Sequence, residues 1–463
     1  MIAVEKKRDT DMTSGSIIRH LVQFSLPLLA GFLFQQMYNM VDTWVIGNFA
    51  SNEAFSAVGT VGSAVNLLIG FFMGLSSGAG VVISQYYGAK REKKVGRAVQ
   101  TAMIMTLVLG VLFTFLGVLI TPFLLQLMKT PPDILPDAYT YLSTYFSGII
   151  GLMFYNIGSG ILRAVGDSRR PFYFLVISAV INTVLDLLFV VRFGMGVFGV
   201  ALATIIAQGV SAVLILVTLI KSRECIRLSM TEWRFDWEIL CKIFRVGIPA
   251  ALQMAITSFS NVFVQSYINY FQGDCMSGWT AYSKIDQLIM MPMQAVSLAA
   301  TTFVGQNLGD NKIDRAKKGI RASAWIAVTA TAILILPVMV FAPWLVAFFN
   351  SKADVVQFGT LFLRWLSPFY IFCCINQIYA GALRGAGNTR ACMIIMLTSF
   401  VVFRQIYLFV MANFIANEVL PIVMSYPAGW ILASLLSLIY YRSVDLGKNR
   451  LVEQSTRAEV GAE

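Results

Sequence analysis

Two stretches decide the fold: GILRAVGDSRR at Gly160–Arg170 and GALRGAGNTRA at Gly381–Ala391. They align at an offset of 221, with Gly160/Gly381, Leu162/Leu383, Arg163/Arg384, Gly166/Gly387 and Arg169/Arg390 identical. Asp167/Asn388 and Ser168/Thr389 are near matches. The same offset sets SQYYGAKREKK (Ser84–Lys94) against GQNLGDNKIDR (Gly305–Arg315), matching Gln85/Gln306 and Gly88/Gly309. An offset of 222 pairs Pro27 with Pro249 and Asn39 with Asn261. Three separate matches at nearly one offset read as an internal duplication.

What is duplicated follows from composition. Hydrophobic residues make up 57% of the 463 and charged residues only 13%, with mean hydropathy +0.72. A soluble chain of this length needs more polar surface to cover its core. The long apolar runs give twelve membrane spans, near 23–47, 55–85, 98–122, 138–162, 172–192, 197–220, 246–272, 278–305, 319–346, 357–383, 391–414 and 422–441. Several exceed the roughly 20 residues a crossing needs, so tilt or helical extension is expected. The first twenty residues lack an apolar segment and do not read as a cleaved signal peptide. With both termini placed in the cytoplasm, the inner segments hold 29 Lys and Arg and the outer ones only Lys129, Arg192 and Lys352. That bias sets the orientation and accounts for the net charge of +11 without nucleic acid.

The expected organisation is a cytoplasmic tail (1–20), a first lobe (21–220), a cytoplasmic linker (221–245), a second lobe (246–441) and a cytoplasmic tail (442–463). The fold class is an all-α polytopic membrane protein of twelve transmembrane helices in two pseudo-symmetric six-helix bundles. Six is even, so both halves enter the membrane alike and a pseudo-two-fold axis should run along its normal. The basic, aromatic linker reads as interfacial. A duplicated bundle with a central cleft is the architecture of a secondary transporter in the plasma membrane, expected here as a monomer. There is no phosphate-binding G-x-x-x-x-G-K-[ST] loop to point to ATP. The six cysteines lack metal-site spacing and the sole histidine, His20, lies in the tail, so no cofactor is expected. Gly70, Gly74 and Gly78 form a stripe suited to close helix packing. Pro27 and Pro249 are placed in the first turns of their spans, and Pro292 is expected to kink its own.

The spans are not uniformly apolar. Of 24 acidic residues only Asp42, Asp186 and Asp286 fall within them. A charge at a helix centre costs about 2.5–3.5 kcal/mol on insertion, so each needs a reason. In FQQMYNMVDTW, Gln35, Tyr38, Asn39 and Asp42 share one helix face. In INTVLDLLFVV (Ile181–Val191), Asn182 and Asp186 stand one turn apart, as do Thr204 and Gln208 in the next span. If these stripes converge they make a pocket of two carboxyls, an amide and hydroxyls. Two close carboxylates in a low dielectric resist joint ionisation, which suits a proton carrier, and the same oxygens suit Na⁺. The coupling site for H⁺ or Na⁺ is therefore assigned to Asp42, Asn182, Asp186 and Thr204. A substrate cavity is assigned to Gln35, Tyr38, Asn39, Asn156, Gln208 and Arg404. The second half has Val264, Phe403 and Tyr407 where Asp42, Asn182 and Asp186 would repeat, so the coupling machinery belongs to the first half.

FSLPLLAGFLFQQMYNMVDTWVIG at the start, LRAVGDSRRP after the fourth span and LRGAGNTR after the tenth resemble the multidrug and toxic compound extrusion (MATE) family over nearly the whole chain. The resemblance is to the DinF-like branch. It implies a V-shaped pair of lobes that alternate access and export amphipathic, often cationic compounds in exchange for H⁺ or Na⁺. It also implies that Asp42, Asn182, Asp186 and Thr204 act together and that Pro27 is a hinge. PAALQMAITSFSN (Pro249–Asn261) lacks the acid that the NorM-like branch carries there. The alternative reading is a flippase for a lipid-linked saccharide, which predicts a more cationic cleft. An embedded enzyme lacks a nucleophile–base or metal constellation, and a channel is disfavoured by the duplication.

Overall fold

The computed structural model describes residues 11–222, 225–229, 234–271, 273–448 and 450–452, apart from the side chains of 63, 64 and 259. Parts of both expected tails and of the linker (223–224, 230–233) lie outside the described residues. The described residues are helices and connecting turns, with no strand among them.

Twelve spanning elements appear. They are α1 (Ile17–Phe49), α2 (Asn52–Gly88), α3 (Glu92–Leu127), α4 (Leu135–Ser147 and Ile149–Ala164), α5 (Arg169–Arg192) and α6 (Gly196–Ile220), then α7 (Trp237–Asn269), α8 (Gly273–Gly309), α9 (Ile313–Val340), α10 (Ala353–Gly385), α11 (Thr389–Ile415) and α12 (Val419–Ser443). Eleven are long and apolar enough to cross a membrane singly, and α4 does so as a pair bent by 48° at Gly148. Each half encloses its own apolar core, around Val82, Leu142 and Ile161 in the first and around Phe362, Tyr370 and Cys374 in the second. Large apolar side chains such as Phe115, Leu119 and Phe123 on α3 and Trp325 and Leu336 on α9 are exposed. On a helix without water at its flank, such a face belongs to lipid.

Helix starts differ from the hydropathic edges. Asp236 caps α7, its carboxylate accepting from Ile239 N at 3.1 Å, so the helix begins within the expected linker. On α1 the helix begins at Ile17, after the N-cap Ser16. Hydropathy reports where a helix is apolar, whereas caps and backbone hydrogen bonds set where it starts. Pro27 and Pro249 are consequently interior prolines, not first-turn ones. Each lacks the N–H that would bond the carbonyl four residues back, which weakens its helix at that turn. A further departure is local: the α-helical part of α5 stops at Asp186, and Leu187–Arg192 continues as a π-helical segment.

The halves meet chiefly where α2 packs on α7 and α8, and α1 on α8. The glycine stripe of α2 lies in this interface. A Cβ on Gly74 would stand 2.3 Å from Ala251 N, and one on Gly78 would stand 2.6 Å from Gly247 Cα. Two-fold relation shows in paired contacts. Gln85 Nε2 donates to Gly385 O at 2.9 Å and Gln306 Nε2 to Ala164 O at 2.8 Å. Gln85 Oε1 accepts from Leu451 N at 2.8 Å and Gln306 Oε1 from Met12 N at 3.0 Å. Within the halves, Ser76 Oγ donates to Asn156 O at 2.6 Å and Ser297 Oγ to Gln377 O at 2.7 Å. Reciprocal contacts of this kind are what a two-fold operation produces. The repeated Gly166 and Gly387 take φ of 90° and 84°, a left-handed turn that glycine enters without strain.

Candidate functional site in the first half

α1 packs along α5, and α5 along α6. That order brings the three polar stripes together. A cavity between α1, α2, α4, α5 and α6 holds about 990 Å³ of empty space, part of it continuous with solvent. Gln35, Tyr38, Asn156, Asn182, Thr204, Gln208 and Pro27 all line it. Asp42 and Asp186 stand one turn beyond Tyr38 and Asn182, outside the lining itself, and their carboxyls lie within electrostatic reach of each other. Asn182 is 1% exposed and Asp186 is fully buried.

Hydrogen bonding is incomplete at this end. Asp42 Oδ1, both Asp186 oxygens, both Asn182 amide atoms and Gln208 Oε1 are buried with no partner among the described residues. Buried polar atoms are nearly always paired, with protein, water or an ion, so a cluster of orphans marks a place for a small polar guest. The donor set is almost all oxygen, as a hard monovalent cation or a proton requires. Thr204 Oγ1 is committed as a donor to Val200 O at 2.9 Å and keeps its lone pairs free. No group of three or more His, Cys, Asp or Glu is placed to hold a metal among the described residues.

Two residues of the expected cavity lie elsewhere. Asn39 is exposed on α1, and Arg404 is 2% exposed inside the second half. Arg404 Nη2 donates to Ser260 Oγ at 2.5 Å and Asn261 Oδ1 at 2.9 Å, and its guanidinium lies 4.9 Å from the Tyr426 ring. Hydrogen bonds and cation–π attraction hold it, with no carboxylate partner among the described residues. Asp286, the third acid within the spans, accepts from the hydroxyls of Tyr370 and Tyr282. Sequence reasoning did not single out Tyr141 and Tyr145 of α4, which stand within electrostatic reach of Tyr38, Asp42 or Asp186. It also passed over Arg163 as a lining residue. Tyr141 and Tyr145 stand one turn apart, but two aromatics at helical spacing read as ordinary core, and Arg163 lies beyond the bend at Gly148.

Comparison with known proteins agrees with this architecture. The family model described as MatE matches twice, at residues 27–188 and 249–410, starting at Pro27 and at Pro249. "Probable multidrug resistance protein YpnP" of Bacillus subtilis is 30% identical over 432 residues, 93% of this chain and 96% of that one. A "FAD transporter" of Shewanella oneidensis is 24% identical over 402 residues, 84% of this chain and 87% of its own. In fold, the chain is similar at TM-score 0.89 and 22% identity to a structure described as "Outward-facing conformation of a multidrug resistance MATE family transporter of the MOP superfamily", covering 94% of this chain and 97% of that one. Duplication, twelve helices and both family matches lead to one conclusion: the chain belongs to the MATE family, whose members are membrane transporters and not enzymes.

Proposed function

We propose that this transporter is a secondary active antiporter that exports amphipathic, often cationic compounds in exchange for H⁺ or Na⁺. The observation that carries the reading is the pair of carboxyls, within electrostatic reach of each other one turn beyond the cavity lining, among buried oxygens without partners. A cation entering that cluster neutralises it and fills those acceptors. A cationic substrate in the cavity below draws on the same negative charge, so ion and substrate compete for one charge state. Competition of that kind couples two transport steps without direct contact. Asp42 and Asp186 carry the ion, Asn182 and Thr204 complete its oxygen shell, and Gln35, Tyr38, Asn156 and Gln208 contact the substrate.

The positive-inside bias places both termini in the cytoplasm of a multi-pass plasma-membrane protein. The end closed by Gln85 and Gln306 is then the cytoplasmic one. Pro27, lining the cavity in mid-helix, is the hinge through which α1 responds to the ion. Relatives differ in cargo by name, one for multidrug resistance and one for FAD, so the cavity lining and not the fold sets selectivity. The lipid-linked flippase reading expects a cationic cleft, and the acid pair speaks against it.

The test is Asp42→Asn in everted membrane vesicles under imposed H⁺ or Na⁺ gradients. Gradient-driven efflux is expected to vanish while expression persists. Full gradient-driven efflux would sink the proposal.

A further inference from the structure

The acids stand just beyond one end of the cavity. At the other end, beside Pro27 and Pro171, the cavity is lined by Arg163, the only charged side chain to line it among the described residues. The Arg163 guanidinium forms no hydrogen bond or ion pair with any described residue, and has only the neutral phenol of Tyr155 within electrostatic reach. A guanidinium in a low-dielectric wall without an acceptor is costly, and it persists where an anion is to be met. Ser168, which follows the turn at Gly166 and also lines the cavity, is 3% exposed and its hydroxyl likewise has no described partner. Asp167 does not neutralise the site. It pairs with Arg170 at 3.1 Å and accepts from the backbone N–H groups of Arg169 and Arg170.

The duplicated half supplies an internal control. Arg384, the counterpart of Arg163, donates through Nη2 to Ser297 Oγ at 3.3 Å. Ser76, the counterpart of Ser297, makes the matching bond to Asn156 O, but Arg163 makes none to Ser76. Thr389, the counterpart of Ser168, is fully buried. The second half therefore spends its arginine on structure, and the first half leaves the equivalent group in the cavity.

We propose that Arg163 and Ser168 form an oxyanion subsite, and that the favoured cargo carries an anionic group such as a carboxylate at one end and a basic amine at the other. The amine end rests on the proposed role of Asp42 and Asp186. α1 rises about 16 Å from Pro27 to Tyr38, which sets the span of such a molecule. Arginine binds a carboxylate through two parallel N–H bonds, so it fixes orientation as well as charge. An amphiphile held this way points its amine at the acid pair.

The experiment uses the full chain in nanodiscs with two fluorescent probes, norfloxacin and norfloxacin methyl ester. They share a ring system and a basic amine and differ in the carboxylate. Wild-type protein should bind the acid about tenfold or more tightly than the ester, as a charge-assisted bond requires. Arg163→Gln should erase that preference by weakening the acid while moving the ester less than twofold. Arg163→Lys should keep part of it, which also controls for folding. Equal loss of both probes in Arg163→Gln, with a lowered melting temperature, would make Arg163 a structural residue and overturn the subsite, as would an unchanged preference. Asp42→Asn separates the two readings. It should weaken both probes through the shared amine, and if it moves neither, the acid-pair reading fails while the Arg163 result stands.

Discussion

At the scale of single residues, the cost of a buried carboxylate was the most informative quantity in the sequence. Asp42 and Asp186 stand in spans that amides and hydroxyls could have held together at lower cost, and the fold brings the two carboxyls within electrostatic reach of each other. Groups that act as one unit fail to add when removed separately. We therefore expect Asp42→Asn, Asp186→Asn and the double variant to lower gradient-driven efflux to the same residual level. Additive losses, measured on matched expression in vesicles, would mean two independent sites. Helical spacing made this part of the site legible, since one face of α1, of α5 and of α6 each shows a polar stripe. Arg404 was misplaced by the same logic. Its cost is met by Ser260, Asn261 and the Tyr426 ring, and a long side chain with several donors finds such partners in places that spacing does not reveal.

At the scale of elements, helix existence was readable and helix ends were not. Apolar runs located all twelve spans, but the early start of α1 and the capped start of α7 moved Pro27 and Pro249 into helix interiors, and Gly148 bent α4 away from a straight path. The glycine stripe of α2 was legible as a packing surface, though its unequal demands were not. A Cβ on Gly70 would lie 3.5 Å from Met254 Cβ, an ordinary contact, whereas one on Gly74 would collide with the α7 backbone at Ala251. Gly70→Ala should therefore leave the melting temperature in detergent near the wild-type value. Gly74→Ala must push α2 from α7, with an overpacking cost of about 1–3 kcal/mol, and should melt several degrees lower. Equal melting temperatures for the two variants would show that α7 yields freely at this contact.

At the scale of the whole molecule, the duplication predicted a two-fold relation, and the reciprocal glutamines display where it acts. Gln85 and Gln306 each cross to the other half, and each also receives a chain-terminal segment, Leu451 on one side and Met12 on the other. Arg315 adds bonds to the carbonyls of Met12, Ser14 and Gly15. None of this was legible beforehand, because the matched Gln and Gly could have served each half internally. If transport proceeds by alternating access, this seam must part in every cycle. Ser84 and Gly305 face each other across it: a Cβ on Gly305 would lie 3.2 Å from Ser84 Cβ. That is slightly closer than the mean of about 3.8 Å in a disulfide, a gap that small adjustments of the two helices accommodate. In a background with the six native cysteines replaced, Ser84→Cys with Gly305→Cys should lose thiol labelling on oxidation. Efflux should stop in step with that loss and return with reductant, while each single variant stays insensitive to oxidant. A fully oxidised pair that still transports would mean that the halves turn over without opening this seam, and the alternating mechanism would have to move at the α1 and α5 cavity alone.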